Sequence, residues 1–112
     1  MIHSLDGYDE ICLTGNYKIV SGDSEEIVEP KIKLRPEDLM GGKTVEESAG
    51  IFMKVLKGEG TKAQNEVVIA NSAVAINCVK ENLSFEECNA LAYNSLKSKQ
   101  ALNAYEKLIS TI

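Results

Sequence analysis

Three carboxylate side chains fall within five residues near the start of the chain, at Asp6-Gly7-Tyr8-Asp9-Glu10. Carboxylate oxygens bind hard cations such as Mg²⁺, which takes one or two carboxylates and completes its octahedron with waters and substrate phosphates. Asp9 and Glu10 have the right chemistry, but neighbouring side chains of a flat strand point to opposite faces. The pair therefore requires a loop or a bulge, which Gly7 favours. A solvated acidic loop without a ligand is the alternative interpretation of these residues taken alone.

The residues that follow predict short antiparallel strands. Asp9–Leu13 alternates between apolar and polar side chains, Tyr17–Val20 is rich in strand-forming residues, and Ile27–Val28 forms a third short run. Glycine-containing turns separate these runs, and Pro30 confines the last one to the edge or the end of a sheet. We therefore expect a strand and turn part over residues 1–34, with its strands over about residues 9–29.

Residues 35–112 have helical patterns with well-marked starts. Sequences of the form S/T-x-x-E/Q begin at Thr44, Thr61 and Ser84. In such a capping box, the hydroxyl and the carboxylate or amide satisfy free backbone N–H groups at a helix start. Four main helices are predicted, over about Val45–Lys57, Lys62–Lys80, Phe85–Lys97 and Lys99–Ile109. The predicted fold class is α+β, with short antiparallel strands followed by four main helices.

The second predicted helix has an unusually apolar centre, Val67–Ile76. A helix that is apolar nearly all round is typically buried on several sides. Asn71 lies within this stretch, and a buried amide needs hydrogen-bond partners. We expect Asn71 to bond to nearby backbone rather than to a ligand.

Composition excludes several functions. The chain has 112 residues, 44% of them hydrophobic and 26% charged, with a net charge of −5, so it fits one domain without a basic surface for nucleic acid or anionic membranes. No apolar run approaches a membrane span, and the start does not resemble a signal peptide. Three widely spaced cysteines and one histidine argue against zinc and thioredoxin-like sites. We expect buried, unreactive thiols and a reducing, cytoplasmic location.

Several segments form an ordered combination that is more specific than any one of them. These segments are His3–Ile11 followed by Leu13-Thr14-Gly15, then Leu39-Met40-Gly41-Gly42, Leu56–Thr61 and Ala70–Ala75. Together they resemble the late part of anthranilate phosphoribosyltransferase, and the resemblance covers essentially the whole chain. The related pyrimidine nucleoside phosphorylases share the architecture, but the Asp-Gly-x-Asp-Glu segment before Leu-Thr-Gly favours the anthranilate enzyme.

The resemblance implies a pentosyltransferase. That family joins anthranilate to phosphoribosyl pyrophosphate, giving phosphoribosylanthranilate and pyrophosphate in tryptophan biosynthesis. All of residues 1–112 would then be the C-terminal part of its catalytic α/β domain. Asp9 and Glu10 match the family's Mg²⁺-binding acids, which help to hold the pyrophosphate. Asp6 is expected to shape the loop, and His3 to have a structural role.

The family's glycine-rich Gly-Thr-Gly-Gly-Asp segment, which cradles the phosphates, does not occur in these 112 residues. The chain also starts without room for an element that leads into the acidic loop. We therefore expect a C-terminal fragment that is inactive alone and that forms a homo-oligomer or pairs with the N-terminal half of the enzyme. The alternative is a non-catalytic interaction or structural module, or a half-enzyme that complements a separate N-terminal chain. A part of a nucleoside phosphorylase is a third, less favoured interpretation.

Overall fold

A computed structural model describes residues 1–112 and divides them into two compact units, Met1–Met40 and Gly41–Ile112. The first unit contains a three-stranded antiparallel sheet in the order β1-β2-β3, followed by a short 3-10 helix at Pro36–Leu39. The strands are β1 (Ile2–Ser4), β2 (Tyr17–Ser21) and β3 (Ser24–Val28). The predicted combination of short antiparallel strands followed by four main helices is confirmed.

The prediction of a strand over Asp9–Leu13 is wrong, because these residues form a loop. Leu13 has a φ of 61°, in the left-handed region that a continuous strand cannot contain. The partner of β2 on this side is β1, whose Ile2 lies opposite Ile19. The alternation of apolar and polar side chains over Asp9–Leu13 therefore predicted a strand at the wrong place. The true partner of β2 could not be seen in that pattern, because β1 and β2 are distant in sequence.

The predicted hairpin between the second and third strands is present. β2 and β3 are paired from Tyr17 opposite Val28 to Ser21 opposite Ser24, so only Gly22 and Asp23 form the connection. Gly22 has a φ of +57°, which a tight two-residue hairpin turn commonly requires. Glycine is therefore the fitting residue at this position.

The second unit contains four helices whose ends lie within one residue of the predicted ones. They are α1 (Val45–Leu56), α2 (Lys62–Val79), α3 (Phe85–Lys97) and α4 (Gln100–Ser110). None of these helices combines the length and the apolar character that a membrane crossing requires.

The capping boxes predicted at Thr61 and Ser84 are complete. Each hydroxyl accepts a hydrogen bond from the backbone N–H three residues later, and the side chain of that later residue accepts one from the cap residue. At α1 the hydroxyl of Thr44 accepts from Glu47 N at 3.1 Å, but the Glu47 carboxylate accepts from Lys43 N at 2.6 Å. The third capping box therefore differs from the other two: the carboxylate accepts its hydrogen bond from the residue before the cap, Lys43, and not from Thr44.

Packing of α2 against α3 forms the core of the second unit, with α1 contributing Val55. The buried side chains in contact are those of Val55, Ile69, Ala92 and Leu96. In α2 only Ile69 and Ala73 are fully buried, whereas Val79 is 84% exposed. Within the apolar centre Val67–Ile76, only Val68 and Ala75 are exposed, and the other residues are buried or half-buried. The expected burial of this stretch is therefore present in part.

Asn71 makes the backbone hydrogen bond that was expected of it. Its Nδ2 donates to the carbonyl oxygen of Val67 at 2.9 Å, one helical turn earlier in α2. This bond satisfies part of the hydrogen-bonding capacity of an amide that lies among half-buried apolar neighbours.

The two glycines before α1 have different steric surroundings. A Cβ atom on Gly42 would lie 2.4 Å from the Cβ of Glu47 and 2.5 Å from the backbone nitrogen of Ser48, whereas one on Gly41 would meet only the Ser48 hydroxyl, at 3.9 Å. The Gly42 N–H also donates to the hydroxyl of Ser48 at 3.2 Å. The close approach of the chain to the first turn of α1 therefore depends on Gly42.

We expect Gly42→Ala to lower the free energy of unfolding by about 1–3 kcal/mol, the usual cost of forcing atoms into filled space. Gly41→Ala is the matched control, because the same methyl group enters open space and should change the stability by less than about 0.5 kcal/mol. Urea unfolding followed by circular dichroism measures both. Equal effects of the two substitutions would contradict the close contact at Gly42.

Candidate functional site

The acidic segment forms a loop that follows β1 (Ile2–Ser4) and is held by backbone hydrogen bonds. The expectation that the chain has no room for an element leading into this loop is therefore wrong. The N–H of Gly7 donates to Ser4 O at 3.0 Å, and the N–H of Ser4 donates to Tyr8 O at 3.0 Å. Gly7 has a φ of +104°, a conformation that side chains rarely allow. The loop that the metal-ligand hypothesis requires is therefore present, and Gly7 makes its turn.

Asp6 is bonded within the loop. Its Oδ2 accepts a hydrogen bond from the Thr14 hydroxyl at 2.5 Å, and Thr14 is buried. A Cβ atom on Gly15 would lie 3.2 Å from the same oxygen of Asp6, which is a tight contact. A glycine at this position therefore avoids a steric conflict with the Asp6 carboxylate. The Leu13-Thr14-Gly15 motif thus positions Asp6, in accord with the loop-shaping role expected of that residue.

Two buried side chains fix the far side of the loop. The hydroxyl of Ser4, which is 1% exposed, donates to the carbonyl oxygen of Glu10 at 2.5 Å. Ile11 is also 1% exposed. The hydrogen bond to the Glu10 carbonyl and the burial of Ile11 therefore hold the backbone at the end of the acidic segment in place.

Asp9 and Glu10 are both exposed, and neither forms an ion pair. Their carboxylates are the oxygen donors that a hard cation prefers. No group of three or more histidine, cysteine, aspartate or glutamate side chains is placed to hold a metal ion. Any cation bound by these two residues would take its remaining ligands from water or from a bound phosphate.

Cys12 lies beside the acidic loop, close to its negative charges. Burial raises the pKa of the Cys12 thiol, and the negative charges of Asp6 and Glu10 raise it further. A thiol held protonated is a poor nucleophile. All three cysteines are free, and only Cys88 is buried; Cys12 is half-buried and Cys78 is exposed. The expectation of buried thiols is therefore confirmed for Cys88 alone.

His3 lies in β1, opposite Lys18 of β2, and it is exposed. Lys18 in turn forms an ion pair with Glu25 of β3, with its Nζ 2.6 Å from a carboxylate oxygen. His3 is therefore a residue of the sheet that precedes the loop.

Sequence reasoning missed Ser4 and Thr14, whose hydroxyls hold the loop. Both are small polar residues that flank the acidic segment, ten positions apart. Their burial is the signal that identifies their role, since buried hydroxyls are normally hydrogen-bonded. That signal becomes visible only when the fold is known.

The two units together define an α+β protein with an exposed acidic loop held by buried hydroxyls. No protein-family model matches the chain. Curated relatives do match it, and the three described here are named anthranilate phosphoribosyltransferase. The enzyme of Cytophaga hutchinsonii is 42% identical over 97% of this chain and 34% of its own length. The enzyme of Bacteroides thetaiotaomicron gives the same three values. That of Flavobacterium johnsoniae is 46% identical over 96% of this chain and 34% of its own length.

The chain is homologous to the C-terminal part of anthranilate phosphoribosyltransferase, which confirms the resemblance inferred from the motifs. It spans about one third of the length of the curated relatives it matches.

Removing the Thr14 hydroxyl should loosen the acidic loop. We expect Thr14→Val to lower the free energy of unfolding by about 1–3 kcal/mol, because the carboxylate of Asp6 loses its bonded partner. Amide hydrogen exchange of residues 4–11 should accelerate more than that of α2. Ser24→Ala is the control, since it removes an exposed hydroxyl of the same unit. Unchanged exchange in Thr14→Val would show that the bond does not hold the loop.

Proposed function

We propose that this chain forms the C-terminal, acidic-loop part of an anthranilate phosphoribosyltransferase. The reaction joins anthranilate to phosphoribosyl pyrophosphate and releases pyrophosphate, a step of tryptophan biosynthesis. In this proposal Asp9 and Glu10 bind the Mg²⁺ that helps to hold the pyrophosphate group. One observation carries the proposal: two adjacent exposed carboxylates lie in a loop held by buried hydroxyls, within a chain 42% identical to enzymes of that name.

The donor set fits Mg²⁺. Mg²⁺ is usually held by one or two carboxylates and keeps positions for water and substrate phosphate. Asp9 and Glu10 supply two, whereas the carboxylate of Asp6 is bonded to the Thr14 hydroxyl. The hydrogen bond of Asp6 supports this proposed division of roles among the three acids.

The contribution of this chain to the reaction is positioning. Ser4 and Thr14 hold the loop on its two sides, so the backbone that carries Asp9 and Glu10 is held in place before substrate arrives. A preorganised charged group is more effective than one that must first be ordered. When bound, Mg²⁺ would neutralise charge that accumulates on the departing pyrophosphate. Burial and the negative charges of Asp6 and Glu10 raise the pKa of the Cys12 thiol, which disfavours a nucleophilic role for it.

The 112 residues hold no Gly-Thr-Gly-Gly-Asp segment. Backbone N–H groups of a glycine-rich loop are a common means of holding phosphates. Two carboxylates cannot bind a pyrophosphate anion without a cation between them, because like charges repel. We therefore propose that these residues alone do not turn over substrate.

A second candidate is a module that acts by association, as a half-enzyme that complements a separate chain or as a non-catalytic partner. Large apolar side chains on the second unit favour it: Val45 is 81% exposed, Phe52 50% and Val79 84%. Exposed apolar surface of this kind is typical of interaction sites. A stable monomer in light scattering, with no association with the first two thirds of a related enzyme, would contradict this candidate.

A chimera tests the proposed function. It joins the first two thirds of the Cytophaga hutchinsonii enzyme to this chain and is assayed by the loss of anthranilate fluorescence with phosphoribosyl pyrophosphate and Mg²⁺. We expect the chimera to be active and the 112 residues alone to be inactive. In the chimera, Asp9→Asn with Glu10→Gln should lower kcat/KM by roughly 100-fold or more, since metal stabilisation of a leaving group amounts to several kcal/mol.

Asp23→Asn with Glu29→Gln is the matched control, because it removes two exposed acids of the same unit away from the loop. That variant should keep the activity of the chimera within about twofold, because exposed charges away from a site contribute little. An equal loss in both double variants would contradict the assignment of Asp9 and Glu10. Turnover by the 112 residues alone would contradict the proposed incompleteness.

A further inference from the structure

The second unit contains a pocket that the proposed function does not use. Its volume is about 620 Å³, and its wall is formed by the end of α1, the first two turns of α2 and the end of α3. A cavity of this size accommodates a small organic ligand. It belongs entirely to residues 57–99 and contains no residue of the acidic loop.

The pocket is strongly positive for a chain with a net charge of −5. Four lysines line it, namely Lys57, Lys62, Lys97 and Lys99, against a single acid, Glu66. The unit Gly41–Ile112 has eight lysines and eight acids in all, so half of its positive charges and one eighth of its negative charges are at the pocket. None of the four ammonium groups takes part in an ion pair.

Gly58, Asn65 and three apolar or aromatic side chains form the remaining wall. Ile69 and Leu96 are core residues that also face the pocket, and Tyr93 completes this side. Lys97 Nζ donates to the Tyr93 hydroxyl oxygen at 2.9 Å and lies 5.3 Å from the centre of the ring. Because the Tyr93 oxygen accepts this bond, its own proton remains available to a ligand.

Lys99 has a backbone conformation that favours glycine. Its φ is 65°, between the end of α3 and the start of α4. A left-handed conformation is unfavourable for a residue with a Cβ atom. A lysine at this position therefore lowers stability, and it adds one of the four charges at the pocket.

From these observations we propose that the pocket binds a small organic phosphate. The lysines would hold the phosphate group, for which lysine is a common point-charge partner. Ile69, Leu96 and Tyr93 would contact an apolar or aromatic body, and Glu66 would accept a hydrogen bond from a hydroxyl group of the ligand. At the start of α2, the capping box already satisfies the N–H groups of Thr61 and Gln64. The lysine side chains thus carry the recognition.

The proposal is tested by NMR titration of the chain with three probes, AMP, adenosine and inorganic phosphate, at low salt. AMP should shift the resonances of Ile69, Tyr93 and Leu96 and bind at least about tenfold more tightly than either other probe. Raising the salt concentration should weaken the binding, because the charges are exposed. Adenosine that binds as tightly as AMP, or phosphate that does so, would overturn the assignment of an organic phosphate.

Two sets of variants add readouts that a structural role would not change. Lys62→Gln with Lys97→Gln should weaken AMP binding by about tenfold or more, whereas Lys80→Gln with Lys107→Gln, which removes two lysines away from the pocket, should change it less than twofold. Lys99→Gly should weaken binding and raise the Tm by about 4 °C, because glycine relieves the left-handed backbone.

Some results with these variants would contradict the proposed phosphate site. Equal losses in the two lysine pairs would show that only net charge matters, and a Lys99→Gly variant that binds AMP as before would remove Lys99 from the site. Asp9→Asn with Glu10→Gln should leave AMP binding unchanged. Failure of this proposal and failure of the proposed function are therefore distinguishable.

Discussion

The hydrogen bond from Thr14 to Asp6 is the interaction on which the acidic loop depends. This bond connects Asp6, at the start of the loop, with Thr14, at its end. A second hydrogen bond, from the Ser4 hydroxyl to the Glu10 carbonyl oxygen, also connects two parts of this segment. Hydrogen bonds to a charged acceptor are among the stronger ones in proteins. One carboxylate is thereby used to build the loop, which leaves Asp9 and Glu10 for a ligand.

Helix positions could be predicted from the sequence because their signals are local. The hydroxyl and the carboxylate or amide of a capping box lie within four residues, and the boxes at Thr61 and Ser84 place α2 and α3 correctly. The sheet could be predicted only in part. β2 and β3 are connected by a two-residue turn, which is a local signal. β1 pairs with residues about fifteen positions away, so its partner has no local signal. Asp9–Leu13 has the alternation of a strand but forms a loop, in which Leu13 has a left-handed backbone conformation.

The acidic loop could likewise be predicted only in part, for the same reason, and the metal-binding role of Asp9 and Glu10 stays a prediction. Asp9 and Glu10 could be singled out because their chemistry is visible in adjacent residues. The roles of Ser4 and Thr14 could not, since a serine or threonine is ordinary in a sequence and becomes informative only when buried. The pocket lined by lysines combines residues that are far apart in the sequence. It therefore has no local sequence pattern from which it could be predicted.

Charge separates the two units. Met1–Met40 has nine acids and four basic residues, whereas Gly41–Ile112 has eight of each. The entire net charge of −5 therefore belongs to the unit that presents the acidic loop. Such a surface attracts a divalent cation and repels free phosphate. In the proposed enzyme, cation binding by Asp9 and Glu10 would make this region compatible with a pyrophosphate group.

Anomalous diffraction from crystals of the chain soaked with Mn²⁺ and pyrophosphate tests the central claim most directly. Mn²⁺ takes the same oxygen ligands as Mg²⁺ and is visible by its anomalous signal. The account predicts a Mn²⁺ peak bound by carboxylate oxygens of Asp9 and Glu10, with the Asp6 carboxylate still bonded to Thr14. A Mn²⁺ ion held by Asp6, or ordered Mn²⁺ that avoids the loop altogether, would contradict it.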